Sequence, residues 1–471
     1  MAPVRALSGP EGMSAIHPFD SPTVPVPLDA PTVPVQQVPP ARGRTGLLSG
    51  WRAPQHRDGM ALVISSGLTS GVGLLYWVVA ARLFDHATVG LNSAAVSAMT
   101  LLGTAAHLNL GNAMLRFVPM AGSGARALIL RCNLIASLAA VMIGLVFALG
   151  AGWWAPDLLA AVGFPALLVF FVVSTPVWTL FVLQDSIMTA IKRATAVPMK
   201  NLVFSVLKIV LLGAAVGMGT ESGIAVSWVV GTVLCVVGGV LWLARAMPPA
   251  HPPTPTGAPT GSVAGSAVSL RDVAGFVRYD YAGNVCWQVV VFGLPLVVLA
   301  LAGPEAAATY GIAWQIAFAL YLVINGMGQS LVAHLSADPS GLGAAMRSMV
   351  VKSFTLVVPA VVVIAPGSYL LLSLFGSEYA ATGSLLLALL ALSAIPNVIT
   401  QAAVWAARVQ RRGALQIAIP ATLAVAVMVG TAILMPSLGV TGAGVAWLGA
   451  QTLAAAAILL ARLRSRRRAA N

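Results

Sequence analysis

Polar side chains recur at helical spacing inside segments that are otherwise apolar. Residues three, four, seven or eight positions apart lie on one face of an α-helix. Four segments carry such a face, formed by Asn109, Asn112 and Arg116; by Asp280, Asn284 and Gln288; by Asn325 and Gln329; and by Asn397, Gln401 and Arg408. Amides donate and accept hydrogen bonds, and guanidinium groups pair with anions. The faces therefore predict binding of a polar, anionic ligand.

Signatures of catalysis are missing from the sequence. It contains no phosphate-binding GxxxxGK[ST] loop, no HExxH pair and no cluster of histidines and cysteines with metal-ligand spacing. The loops between apolar segments are too short to hold a catalytic domain. We therefore expect a protein that is not an enzyme, has no metal site and carries no cofactor.

Lys208 lies near the middle of the apolar stretch LVFSVLKIVLL. A charge at the bilayer centre costs about 2.5–3.5 kcal/mol on insertion scales, so a buried partner or a polar cavity is expected around it. Asp280 and Asp185 are the candidate partners, and the sequence does not choose between them. For any one polar residue, hydrogen bonding between helices or snorkelling is the simpler explanation. For the whole set, including Lys208, we favour a substrate cavity.

Composition indicates a polytopic membrane protein. Of 471 residues, 58% are hydrophobic and only 8% are charged, whereas about 25% are charged in a soluble domain. Cys132, Cys235 and Cys286 all fall within apolar segments, so no disulfide framework is expected. The net charge of +13 raises the possibility of a nucleic-acid partner, which the distribution of the charges argues against.

Twelve apolar segments are long enough to cross a bilayer, which needs about 20 residues per helix. They cover approximately 60–82, 88–116, 127–150, 162–190, 195–218, 222–245, 273–301, 306–335, 349–374, 381–407, 413–435 and 440–462. If the N-terminal tail is cytosolic, every Lys and Arg except Arg82 and Lys208 falls on or near the cytosolic side. This positive-inside bias predicts that both termini are cytosolic, and it accounts for the basic charge without nucleic acid.

The sequence divides into two halves of six spans each. A Pro-rich tail (1–58) precedes the first six-helix lobe (59–246), and a Pro/Gly/Ser-rich linker (247–270) separates it from the second (271–463) and a basic tail (464–471). SGIAVSWVVG at 222–231 parallels TGAGVAWLGA at 441–450, and Gly90 parallels Gly311. We therefore expect an all-α fold of two lobes related by a pseudo-two-fold repeat, an organisation typical of transporters.

The stretch YWVVAARLFDHATVGLNSAAVSAMTLLGTAAHLNLGNAMLRFVP (76–119) carries a family resemblance. It is similar to the opening of bacterial polysaccharide flippases of the O-antigen (Wzx-like) type, which share Ala-Arg-Leu at 81–83, Gly90, Leu-Gly at 110–111, Ala113 and Arg116. The resemblance extends over roughly 60–460 and places the chain among the multidrug, oligosaccharidyl-lipid and polysaccharide exporters.

The resemblance implies a function in building the cell envelope. Such a protein would lie in the bacterial plasma membrane and flip a polyprenyl-diphosphate-linked oligosaccharide by alternating access, for lipopolysaccharide O-antigen export. Arg116, Lys208 and Arg408 would meet the diphosphate and the amides would meet the sugars. Asp280 is the candidate coupling group, for H⁺ or Na⁺. Membrane lipids and polysaccharide assembly proteins are the expected partners.

Two other functions remain open. A cation-coupled multidrug exporter would have the same architecture and would use acidic cavity residues, for which Asp280 and Asp185 are the candidates. A membrane scaffold that does not transport would instead use the Pro-rich tail, which repeats PTVPV at 22–26 and 31–35, to recruit partners. The internal repeat and the buried polar faces make the scaffold the least favoured.

Overall fold

A computed structural model describes residues 71–119, 121–246, 270–335, 342–410 and 412–470. The predicted tail 1–58 and the linker residues 247–269 lie outside these ranges. Within them, every regular element is a helix and no strand occurs. The expectation of an all-α membrane fold is confirmed.

Nine α-helices, with a short 3₁₀ helix (Gly122–Gly124) between the third and fourth, make up the described part of the first half, and six α-helices make up the described part of the second. The first set is α1 (Gly71–Leu83), α2 (His86–Ala106), α3 (Leu110–Phe117), α4 (Ala125–Leu149), α5 (Ala151–Trp154), α6 (Pro156–Val162), α7 (Phe164–Ala190), α8 (Ala196–Gly217) and α9 (Gly223–Ala246). The second is α10 (Leu270–Leu335), α11 (Leu342–Ile364), α12 (Ser368–Ser373), α13 (Ser377–Val409), α14 (Gly413–Leu438) and α15 (Thr441–Ala470). The last helix thus continues into the predicted basic tail.

Ten of the described helices are long and apolar enough to cross a membrane. One of them, α10, is interrupted at Gly303, whose φ of 81° lies in the region that only glycine adopts readily. Its apolar part, Tyr281–Gly328, has 48 residues and so measures about 72 Å at 1.5 Å per residue, more than twice the bilayer core. It therefore crosses twice, as two arms joined at Gly303, and each predicted span overlaps a helix or an arm.

The second predicted span, 88–116, is wrong as one continuous helix. Leu108 and Asn109 have φ of 49° and 53°, so α2 ends before them and α3 begins after them. Left-handed backbone is costly for leucine and tolerated by asparagine. Asn109 therefore does not share a helical face with Asn112; instead, the Asn112 amide donates to Asn109 Oδ1 at 2.8 Å.

The two halves meet mainly where α2 packs against α10. Gly90 of α2 lies against the carbonyl of Pro304, and the Cβ of any larger residue would overlap that carbonyl. Gly311, its counterpart in the repeat, lies on the same joint, where an added Cβ would stand 3.3 Å from the Ser93 hydroxyl. The two matched glycines thus occupy one interface.

The matched tryptophans also occupy comparable places. Trp228 of α9 packs edge-on against Tyr76 of α1 at 5.5 Å between ring centres. Trp447 of α15 packs edge-on against Trp287, in the first arm of α10, at 6.1 Å. In each half, the sixth span contacts the first through an aromatic pair, as expected of a repeat.

We predict that Gly90→Ala lowers the thermal stability of the purified protein. The added methyl meets main-chain atoms that cannot rotate away, and overpacking costs about 1–3 kcal/mol. Thermal unfolding in detergent, followed through the reactivity of the native cysteines, measures the change.

Gly213→Ala is the matched control, because Gly213 is helical and an added Cβ there has no neighbour within 4 Å. It should leave the melting temperature unchanged or raise it, since alanine favours helix over glycine by up to about 1 kcal/mol. Equal losses in both variants would contradict the close contact at Gly90.

Candidate functional site

A cavity of about 280 Å³ lies among the helices of the second half. It is bounded by both arms of α10 and by α13 and α14, near the ends predicted to face the cytosol. Its polar and aromatic lining comprises Asn284, Trp287, Gln288, Phe318, Asn325, Thr400, Gln401, Trp405, Arg408 and Gln416. Five residues predicted from the sequence, on three of the four polar faces, therefore meet in one place.

The cavity amides differ in how they are paired. Asn325 donates to the carbonyl of Tyr321 at 3.1 Å, and Gln416 donates to that of Ala407 at 3.1 Å. Asn284, Gln288 and Gln401 form no hydrogen bond to another described residue. An amide in an apolar setting needs a partner, so these three groups are available to water or to a ligand.

The charge in the cavity is positive. Arg408 places its guanidinium carbon 4.5 Å from the centre of the Trp405 ring, a cation–π contact. None of the described lining residues is an aspartate or glutamate. The described part of the cavity therefore suits an anion and offers no carboxylate to a cationic ligand.

A buried hydrogen-bond network fixes the α13 wall of the cavity. Thr400 donates to Gln451 Oε1 at 2.8 Å, and the Gln451 amide donates to Asn397 Oδ1 at 3.2 Å. All three side chains are buried. Because such chains hold each member in one orientation, the network sets the rotation of α13, which presents Gln401 and Arg408 to the cavity.

The remaining predicted residues lie elsewhere or are not described. Asn109 is buried and Asn112 exposed at the break between α2 and α3, outside this cavity. The side chains of Arg116, Asp280 and Gln329 lie outside the described part, so their assignments stay predictions.

Lys208 lies in an aromatic cage in the first half, away from the cavity. Its ammonium nitrogen stands 4.0 Å from the ring centre of Trp228, 4.6 Å from that of Tyr76 and 5.2 Å from that of Phe204. It is 4% exposed and forms no ion pair or hydrogen bond with another described residue. Three ring faces are thus the described environment of this charge.

Asp185, one of the two expected partners of Lys208, is paired with a different lysine. Lys200 of α8 lies 2.5 Å from Asp185 Oδ1 and donates to the carbonyl of Phe181 at 2.5 Å. Its ammonium group also lies 3.6 Å from the centre of the Phe181 ring. Lys200 stands nearer the start of its helix, where the sequence placed it at the membrane surface, and the structure buries it.

Solved structures share this fold. A multidrug resistance MATE family transporter of the MOP superfamily, in an inward-facing conformation, matches with a TM-score of 0.64 and 16% identity over 84% of this chain and 94% of that chain. The lipid II flippase MurJ, inward closed, matches with a TM-score of 0.58 and 12% identity over 85% of this chain and 87% of that one. The chain has the fold of MOP superfamily transporters.

A third match bears on the polarity of the pocket. A MOP superfamily transporter from Pyrococcus furiosus matches with a TM-score of 0.56 and 16% identity over 86% of this chain and 92% of that one. The reversed polarity of that protein's binding pocket is described as suggesting a different function for it. No protein-family model and no curated protein sequence matches this chain. At these identities, the comparisons establish the fold.

The aromatic residues of the cavity are the main part that sequence reasoning missed. Trp405 stands four residues after Gln401, and Trp287 stands three after Asn284. Both therefore continue a polar face that the helical spacing had already marked. Their helical spacing from Gln401 and Asn284 is the sequence signal that could have identified them as cavity residues.

The two buried lysines should respond differently to replacement by methionine. Lys200→Met strands Asp185 without its partner, and breaking a buried pair is strongly destabilising, here by roughly 3 kcal/mol. Lys208→Met removes a charge that has no described counter-ion and keeps an unbranched chain among the rings, so stability should stay the same or rise.

Thermal unfolding of both variants in the same detergent measures the contrast. Asp185→Asn combined with Lys200→Met is the control, because it removes both charges and should recover part of the loss. If Lys208→Met were as destabilising as Lys200→Met, the charge of Lys208 would have a partner that the aromatic cage does not provide.

Proposed function

We propose that this protein flips a polyprenyl-diphosphate-linked oligosaccharide, a polysaccharide precursor, across the bacterial plasma membrane by alternating access. The head group would enter the cavity from the cytosolic side while the prenyl chain stays in lipid. Rocking of the two halves would then expose the head group to the outer side. The proposal includes cytosolic termini, as the positive-inside bias predicts.

The observation that carries the proposal is the chemistry of the cavity. Three amides without described partners, two tryptophan rings and one arginine line it. Amides hydrogen-bond sugar hydroxyls, tryptophan faces cover the apolar faces of sugar rings, and a guanidinium pairs with phosphate oxygens in a bidentate way. These are the groups that a phosphorylated sugar requires.

The size of the cavity limits what it holds. Small-molecule sites usually enclose about 300–1,000 Å³, so 280 Å³ accommodates one end of the head group. We propose that the diphosphate lies beside Arg408 and that the first sugar lies among Asn284, Gln288 and Gln401. Asn325 would contact the same sugar. We assign a later stage of the cycle to the other candidates, Arg116, Lys208, Asn109, Asn112 and Gln329.

A multidrug exporter is the alternative on the same fold. Structures that share the fold include a MATE multidrug transporter as well as a lipid II flippase, so the fold does not decide between them. The Arg408 guanidinium would repel a cationic drug, and the described lining offers no carboxylate to offset it. Pocket polarity therefore favours an anionic substrate.

We also propose a residue that couples transport to an ion, and a set of partners. Asp280, one helical turn before Asn284 on α10, is the proposed coupling group for H⁺ or Na⁺. The lipid-linked sugar and membrane lipids are the proposed direct partners, and polysaccharide assembly proteins would receive the product.

We predict that Arg408→Gln weakens binding of a polyprenyl-diphosphate oligosaccharide at least about ten-fold. A hydrogen bond to a charged group contributes about 1.5–3 kcal/mol, and each 1.4 kcal/mol is a factor of ten in affinity. Isothermal titration calorimetry of the purified protein with a short-chain lipid-linked sugar measures the change.

Arg412→Gln is the matched control, because Arg412 is exposed four residues further along and does not line the cavity. It removes the same charge and should leave the affinity within about two-fold of the native value. Equal affinities in all three proteins would contradict the proposed diphosphate site. Tight binding of tetraphenylphosphonium, with none of the lipid-linked sugar, would favour the multidrug alternative.

A further inference from the structure

A second cavity, of about 440 Å³, lies among the helices of the first half. It is bounded by α2, α6, α7 and α9, near the ends that the positive-inside bias predicts to face the outer side of the membrane. Small-molecule sites usually enclose about 300–1,000 Å³, so this outer cavity is large enough for a ligand of its own. It shares no lining residue with the cavity of the second half.

The two walls of the outer cavity differ in chemistry. The wall formed by α6 and α7 is entirely apolar, and its largest side chains are Leu158, Leu167, Phe170 and Phe171. The polar lining residues all belong to α2 or to the turn before α9, and they are Thr88, Asn92, Glu221 and Ser222. A ligand that fills the cavity must therefore have an apolar body and one polar end.

Asn92 holds the polar wall in place. Its amide nitrogen donates to the carbonyls of Thr88 at 2.9 Å and Glu221 at 3.0 Å, and its oxygen accepts from the Ala225 backbone at 3.0 Å. Both amide protons are thus used within the protein. Asn92 is therefore a positioning residue, which ties α2 to the first turn of α9 and fixes the backbone from which the Glu221 side chain extends.

Glu221 gives the polar wall its charge. Its side chain is exposed, and its carboxylate forms no ion pair or hydrogen bond with another described residue. None of the lining residues is a lysine, an arginine or a histidine. Arg82, the one arginine that the sequence placed at the outer face, is instead held by the carbonyls of Ser373 at 2.8 Å and Leu374 at 3.0 Å in the second half. The described residues therefore leave the charge of Glu221 uncompensated.

We propose that the outer cavity binds an organic cation with an apolar body. The positive group lies beside Glu221, and the apolar body lies against Phe170 and Phe171. Charge complementarity carries the assignment, because a carboxylate attracts a cation and repels the diphosphate assigned to the other cavity. Contact with the α6–α7 wall removes the apolar body from water. The two cavities thus have opposite polarity, and the outer one lies within a single half, so binding there does not require the halves to rock.

Isothermal titration calorimetry with the 3-phenylpropyltrimethylammonium ion tests the proposal on the full chain in lipid nanodiscs. Heats measured with empty nanodiscs correct for partition into lipid. We expect one saturable site per chain. An uncharged analogue, with a tert-butyl group in place of the trimethylammonium group, has the same shape and should displace the cation about three- to five-fold less well, since the charge pair is exposed to water.

Variants of the charged wall test where the cation binds. Glu221→Gln should weaken binding about three- to five-fold, for the same reason. Glu305→Gln is the matched control, because Glu305 is exposed at the predicted outer end of α10 and does not line the cavity. It should leave the affinity unchanged.

A second pair of variants tests the apolar wall. Ala166→Trp should abolish binding, because Ala166 lines the cavity and an indole ring there fills it. Ala160→Trp is the matched control, since Ala160 lies on α6 and does not line the cavity. Both alanines are exposed, so neither substitution disturbs a packed core.

Equal binding of the cation and its uncharged analogue would overturn the proposal and would indicate that a lipid chain fills the cavity. Absence of saturable binding would overturn it too, as would unchanged affinity in both Glu221→Gln and Ala166→Trp. The inference does not rest on the proposed substrate. Arg408→Gln should leave binding of the cation unchanged, and Glu221→Gln should leave binding of the lipid-linked sugar unchanged, so the two proposals fail separately.

Discussion

The contact of α2 with α10 is the constraint on which the arrangement of the two halves depends. Gly90 allows the two main chains to touch at Pro304, next to the turn at Gly303 where the second half reverses direction. A side chain at position 90 would push α2 away from the second arm of α10, where Pro304 and Ala308 lie. The contacts of His86 with Thr309 and Glu378 lie beside this joint, and the candidate cavity lies towards the other end of the same arms. The joint therefore fixes which ends of the helices are held together.

The two halves differ in where they place their charged and amide side chains. The first half encloses Lys208 in aromatic rings and pairs Lys200 with Asp185. The second half has a cavity lined by amides and backed by the Asn397–Gln451–Thr400 network. The matched tryptophans, Trp228 and Trp447, pack against the first span of their own half. The aromatic framework is thus shared, while the polar groups placed on it differ.

The sequence predicted the helices well because the bilayer leaves few alternatives. Every backbone group in hydrocarbon must be bonded within the protein, so apolar runs of sufficient length become helices. The break at Leu108–Asn109 escaped prediction because its residues continue the apolar pattern and only Asn109 favours a left-handed backbone. The position of Lys208 near the middle of its helix also did not predict its partner, because Asp185 forms its ion pair with Lys200 and not with Lys208.

The site was predictable only where its residues share a helix. Helical spacing grouped Gln401 with Arg408 and Asn284 with Gln288, and the structure brings both pairs to one cavity. By contrast, His86 and Glu378, which lie 3.3 Å apart between Nδ1 and Oε2, stand almost 300 positions apart in the sequence. Each is an ordinary polar residue near the end of a span, where the sequence gives no reason for a partner. Only the packing of α2, α10 and α13 brings them together.

The burial of each ion pair fits whether alternating access would require the pair to break. The Lys200–Asp185 pair lies within one half and is largely buried, and breaking such a pair costs about 3–5 kcal/mol. The His86–Glu378 pair joins opposite halves and has one partner mostly in water, where ion pairs contribute about 0–1 kcal/mol. A contact that must break in every cycle cannot be of the first kind without slowing the cycle. A strong pair inside one half and a weak pair between the halves would therefore let each half move as a rigid body in such a cycle.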